Sequence, residues 1–346
     1  MKRLKYLLVF ILPLTVYISF VSNGFLTLLP LFVFFGIVPF LELVFPPSWN
    51  QDAATEKVLD QHSWYYNWLL YLQVPIIWVF IFWFIGIQTK ELDTITCVGH
   101  MISMGIMCGI IGINLGHELG HRQHKFEQFL GDLLLLSSLE NHFVPYHNRG
   151  HHYHVATPQD PASARKNEWL YIFWFRSHFG SYVQAWQIEA QRMQIINRSF
   201  WSYQNKMLQY SFAQLTLLLS IYWSAGFQAT LSFLIAAIVG IILLETVNYI
   251  EHYGLVRQRN EAGKYEVVKR KHAWNSNHLL GRAILFELSR HSEHHVKPDL
   301  HYQDLYSSDE APSMPAGYPA MMLLSLLPPV FFKVMNPKVE QALSKG

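Results

Sequence analysis

Residues 95–121 read ITCVGHMISMGIMCGIIGINLGHELGH, and this stretch decides the class of fold. From position 95 to 115 it carries no Asp, Glu, Lys or Arg. That is the length an α-helix needs to cross about 30 Å of hydrocarbon. Directly behind the apolar run stand His117 and His121. Four residues apart on a helix, they share one face with Cβ atoms about 5–6 Å apart, close enough to reach one ion. A membrane helix thus runs straight into a pair of metal-binding side chains.

Five further runs have the same character: roughly 4–21, 25–45, 68–88, 208–226 and 231–249. A lipid-exposed backbone must satisfy its own hydrogen bonds, so helices are expected. The expected fold is an all-α integral membrane protein with about six transmembrane helices in three hairpins. Ser22-Asn23-Gly24 makes one tight turn and the stretch near 226–230 another. A histidine-rich helical cap, built from 116–207 and 250–346, completes a single domain over 1–346. Only 14% of residues are charged, against about 25% in soluble domains. The first run follows Lys2, Arg3 and Lys5 as a signal peptide does, but it lacks a small-x-small cleavage site and reads as a retained span. The apolar pieces 129–139, 169–186 and 318–334 read as re-entrant or interfacial helices, and Pro328-Pro329 bars a straight span in the last.

Charge gives an orientation. Of the 26 Lys and Arg, 25 lie at the N-terminus or in 46–67, 116–207 and 249–346, leaving Lys90 alone on the other side. The positive-inside tendency places those segments, and every clustered histidine, in the cytoplasm. The net charge of +2 gives no case for nucleic acid. Cys97 and Cys108 share one apolar run, so neither a disulfide framework nor a cysteine metal site can be built, and a metal must take nitrogen or oxygen ligands.

Beyond the first pair the histidines cluster as His147-x3-His151-His152, as His252 within 248–254, and as His291-x2-His294-His295. On a helix His147 and His151 share a face, while His152 is turned roughly 100° toward a second ion. Nine rings exceed the needs of one ion. Imidazole suits iron, copper, zinc or nickel, and copper would more usually bring Met or Cys. A pair of irons activating O2 is the reading that uses all nine. The other nine histidines, His62 and His178 among them, read singly as ordinary polar residues. His117-Glu118-Leu119-Gly120-His121 also matches the zinc protease helix with Glu118 as general base. Zinc takes three protein ligands and a water, however, which leaves six clustered rings unused. A metal transporter would place its site near the bilayer midplane on broken helices, and only Glu42 and Glu245 are acidic within the spans.

The stretch Asn248-Tyr-Ile-Glu-His-Tyr-Gly-Leu255 resembles the hydrocarbon monooxygenase motif of bacterial alkane 1-monooxygenases, within the membrane non-haem di-iron enzymes. Residues 148–152, 156–165, 272–277 and 290–295 are similar to further motifs of that family, and the resemblance covers 4–310. It implies nine iron ligands: His117, His121, His147, His151, His152, His252, His291, His294 and His295. It implies terminal hydroxylation of alkanes with O2 in the bacterial inner membrane. Electrons would come from rubredoxin in trans, reduced by an NAD(P)H-dependent rubredoxin reductase. The related alternatives are a xylene-type methyl hydroxylase and a fatty-acyl desaturase. Glu118, Glu251 and Asp160 are the carboxylates expected to orient ligand rings. Tyr146 stands where the family usually has Glu, and His272 and Asn275 match a motif without an assigned role. Arg257, Arg259, Lys264, Lys269, Arg270 and Lys271 read either as a docking area for an acidic donor or as a positive-inside run that only fixes topology. Ile37, Phe40 and Leu41 are candidates for a steric stop that limits alkane length.

Overall fold

The computed structural model describes residues 3–45, 47 and 63–344. Among these the chain is helical, with two isolated bridges, Arg259 to Tyr265 and Asn275 to Ser313, in place of any sheet. Lys2, Lys57 and Lys345, which enter the charge asymmetry, lie outside the described residues, as does His62.

Four helical runs are long and apolar enough to cross a membrane: Gly24–Val44, Trp64–Gln88, Thr94–Gly120 and Lys206–His252. Leu4–Phe20 is apolar but shorter, with its first turns wound as a 3-10 helix over Leu4–Phe10. The last of the four contains both expected stretches 208–226 and 231–249. Two helices meet there at Gly226, whose φ of 81° is a left-handed value that only glycine takes without a Cβ clash.

The chain packs as two compact units. One comprises residues 3–36, 63–145 and 184–244. Its helix Thr94–Met107 starts on Asp93, whose carboxylate accepts from the Thr96 amide at 3.0 Å and the Thr96 hydroxyl at 2.6 Å. The same run packs against Lys206–His252 through glycines. A Cβ on Gly105 would fall 2.4 Å from the Val239 Cβ and 2.8 Å from the Ala236 carbonyl oxygen. Small residues are what permit such close approach where lipid removes the hydrophobic drive. Ile113, Leu135 and Phe143 form a buried cluster with Val144 and Leu244 packed on it.

The other unit comprises residues 37–45, 146–183 and 245–344. Tyr249, Tyr253, Phe173 and Phe331 build its aromatic core, with ring centroids 4.9–5.4 Å apart. Glu42 is buried and accepts from the Gly281 amide at 2.7 Å, which accounts for one acidic group within an apolar run. The apolar piece 318–334 divides into Tyr318–Ser325 and Pro328–Ser344. The break falls just ahead of the proline pair, because proline is accommodated best in the first turn of a helix, where no amide donor is needed.

Candidate metal centre

Residues His147–His151 form a π turn between Phe143–Tyr146 and His152–His154. Its i to i+5 bonding brings residue 152 back over residue 147, and the two Nε2 atoms lie 3.0 Å apart. His294 joins them, its ring 4.9 Å from His152 and 5.9 Å from His147 between centroids. Helical spacing pairs His147 with His151. The wide turn overrides it and sends His151 to a second set.

That set is His151, His252, His291 and His295, all buried, each offering a ring nitrogen within 4.8 Å of the others. His291 Nε2 lies 2.9 Å from His295 Nε2 and 3.1 Å from His252 Nε2. His291 and His295 are one turn apart on His291–Val296, while His252 closes Lys206–His252. Two nitrogens bound at about 2.1 Å to one ion and at right angles are about 3.0 Å apart, so the spacing is that of metal ligands. His151 Nε2 points the same way, buried and without a hydrogen-bond partner among the described residues. Burial pushes His152 down to about 3 and, with the neighbouring histidines, holds His295 well below the ordinary range. Both rings are therefore neutral, the form that binds metal.

A ring of partners fixes these side chains. Asp160 Oδ2 sits 2.9 Å from His151 Nδ1, and the Ser163 hydroxyl donates to the same oxygen at 2.6 Å. Oδ1 accepts from the Tyr146 hydroxyl at 2.5 Å. Burial raises the Asp160 carboxyl, but His151 beside it and these donors outweigh that and hold it well below the usual carboxylate range. An ionised Asp160 makes Nδ1 the protonated nitrogen and leaves the Nε2 lone pair for the ion. Glu251 accepts from the Tyr318 hydroxyl at 2.9 Å and places Oε2 3.2 Å from His291 Nε2, on the converging side of the ring. Asn275 Oδ1 accepts from the Ser292 amide at 2.8 Å, tying down the start of the helix that bears His291, His294 and His295. Glu293, fully buried between them, pairs with Arg270 at 2.6 Å and Lys297 at 3.2 Å.

In the other unit His117 and His121 stand at the end of Asn114–Gly120, after a second π turn over Cys108–Ile113. Their rings lie 5.0 Å apart. Glu118 pairs with Arg122 at 2.8 Å. His272 takes the Lys269 amide on Nδ1 at 3.0 Å, lies 3.2 Å from Glu266 and stays outside the four-ring set.

The contact of Tyr146 with Asp160, the contact of Tyr318 with Glu251 and the capping role of Asn275 were not legible in the sequence. For Asn275 its motif was the signal and for Tyr146 its place where the family usually has Glu; for Tyr318 there was none. The basic area is partly spent internally. Arg257 binds the Tyr153 and Glu266 carbonyls, Arg270 binds Glu293 and Glu310, and Lys271 lies 3.5 Å from Glu266. Arg259 and Lys264 remain exposed. Of the candidates for a steric stop, Phe40 is 64% exposed and Ile37 40%, while Leu41 is half-buried.

The family model for fatty acid desaturases matches residues 94–322. The chain is 36% identical to alkane 1-monooxygenase 1 of Pseudomonas aeruginosa over 310 residues, 88% of this chain and 81% of that one. It is 37% identical to the alkane 1-monooxygenase of Pseudomonas putida over 319 residues, 90% and 77% of the two chains. The hydroxylase component of the xylene/toluene monooxygenase of Pseudomonas putida is 26% identical over 344 residues, 98% and 89%.

Proposed function

The chain belongs to the alkane 1-monooxygenases, and from that premise we propose that it hydroxylates the terminal carbon of an alkane, taking one oxygen atom from O2 and releasing a primary alcohol. Two irons serve the reaction, held by His117, His121, His147, His151, His152, His252, His291, His294 and His295. One would belong to the four-ring set of His151, His252, His291 and His295. The observation that carries this reading is the convergence of His151, His252, His291 and His295, with ring nitrogens at about 3 Å and no thiolate among them.

When bound, iron supplies the oxidation that no side-chain acid or base can perform on a strong, apolar C–H bond. The protein's own groups prepare the place. Asp160 keeps the proton on His151 Nδ1, so that Nε2 faces inward as a lone pair. Arg270 and Lys297 neutralise Glu293, which lets a carboxylate sit fully buried inside the helix of three ligand rings. Asn275 and Tyr318 hold that helix and Glu251 in place. Burial of the four rings His151, His252, His291 and His295 would keep bulk water from an ion held there.

The substrate reaches the site from the bilayer, where an alkane partitions. Electrons come from rubredoxin in trans, itself reduced by an NAD(P)H-dependent reductase. The charge asymmetry supports an inner-membrane protein with its N-terminus and histidines on the cytoplasmic side. The likeness to the xylene/toluene enzyme favours, as second reading, hydroxylation of an aromatic methyl group. Purified protein with rubredoxin, its reductase and labelled O2 separates the cases. Octane or hexadecane giving the 1-alcohol with one labelled oxygen supports the proposal. Oxidation of xylene alone selects the second reading, and an alkene from an acyl chain selects a desaturase.

A further inference from the structure

We propose that Tyr146 is a positioning residue that sets how strongly His151 binds its metal, acting through Asp160. Tyr146 is 2% exposed and stands directly before the π turn that carries His147 and His151. Its hydroxyl donates to Asp160 Oδ1 at 2.5 Å and accepts from the Ala162 amide at 3.1 Å, so its proton has one place to go. The Asp160 side chain has no exposed surface, and no solvent competes for its oxygens. Oδ1 is shared by Tyr146 and the Ala162 amide at 3.2 Å, Oδ2 by Ser163 and His151.

A buried carboxylate has a fixed amount of negative charge to offer. Each donor that draws on it leaves less for the others, and in a low dielectric those effects are strong. What remains for His151 Nδ1 decides how far that proton is pulled, and so how basic Nε2 becomes toward a metal. Tyr146 therefore restrains Asp160: with its hydroxyl in place His151 is a weaker ligand than the Asp160 pair alone would make it. The Tyr146 ring, 6.1 Å from the His151 ring between centroids, adds bulk that keeps the pair aligned. A phenol suits the task because its hydroxyl donates to Asp160 while accepting from a backbone amide.

The inference rests on His151 being a metal ligand, and the experiment separates the two claims. Iron-free wild type, Tyr146→Phe, Ser163→Ala and Asp160→Asn are titrated with Zn(II) against a chromophoric chelator, and the iron-loaded forms are poised for midpoint potential. Tyr146→Phe keeps the ring and removes the donor; Ser163→Ala removes the second donor from the same carboxylate. Both should bind Zn(II) several-fold more tightly, while Asp160→Asn binds it about 10–100-fold more weakly. In Tyr146→Phe at least one iron transition should move negative. A tenfold preference for the oxidised ion corresponds to about 59 mV. If Tyr146→Phe binds Zn(II) as wild type does, or more weakly, and its potentials stay put, the proposal is overturned while the metal site stands. Wild type that binds no Zn(II) overturns both, and Asp160→Asn that binds it as tightly as wild type overturns the proposal alone. Should Tyr146→Phe not fold, Ser163→Ala decides by the same signs.

Discussion

Asp160 shows how one buried side chain prepares a ligand. It accepts a hydrogen bond from His151 Nδ1 at 2.9 Å, and its other contacts are all donors. Asp160→Asn should keep the fold, since the amide is isosteric, but present an N–H or a weaker acceptor to the ring. Metal affinity should fall about 10–100-fold with helicity unchanged, read by iron content after dialysis alongside circular dichroism. Full iron at wild-type affinity would remove Asp160 from the site. The buried rings also give iron-free protein an acid weakness. Burial holds His152 at about 3 and His295 well below the ordinary range, whereas in the unfolded chain both titrate near about 6.5. Between those values the unfolded state binds more protons, so stability is lost as pH falls below about 6.5 and the loss accumulates toward pH 3. For His152 the cost at pH 5 is on the order of 2 kcal/mol. Denaturation of the iron-free protein at pH 7 and pH 5 checks this; equal stability would mean the rings are solvated.

The element that organises the site is the π turn over His147–His151. Helical spacing in three segments brought eight of the nine histidines together as candidates, and His252 joined them only through its place after a span and the motif resemblance. It could not sort them into sets. The pairing of His147 with His152 needs a turn one residue wider than an α-helix, and nothing in His-Asn-Arg-Gly-His announces such a turn. The long apolar helices were legible for the converse reason: a backbone that must satisfy itself in lipid has few choices, and 68–88 and 95–115 reappear within Trp64–Gln88 and Thr94–Gly120. The glycines inside them were legible only as apolar. Their role appears in the contact between Gly105 and Val239. Gly105→Leu should overpack this contact and cost about 1–3 kcal/mol, seen as a lower midpoint of thermal unfolding in detergent. An unchanged midpoint would show the two helices free to separate.

For the molecule as a whole, charge and ligand chemistry are the properties that reach beyond any one element. The basic run 257–271 looked uniform as sequence, yet the structure half-buries Arg257, Arg270 and Lys271 against partners inside the protein, and leaves Arg259, Lys264 and Lys269 exposed, Lys269 pairing with Glu266 at 2.7 Å. Attraction of an acidic electron donor should therefore depend on the exposed groups, Arg259 and Lys264 foremost. Arg259→Glu with Lys264→Glu should raise the apparent KM for rubredoxin severalfold at low salt, the difference shrinking as salt screens the charges. Kinetics equal to wild type at low salt would place docking elsewhere. The claim on which everything else depends is that histidine rings from separate segments hold a pair of irons with no sulfur ligand. Metal analysis combined with iron X-ray absorption on purified protein tests it most directly. Two irons per chain, nitrogen and oxygen neighbours with imidazole scattering, and loss of about one iron in His252→Ala are the expected results. A single iron in wild type, a sulfur shell, or a His252→Ala protein that keeps both irons in unchanged coordination would contradict it.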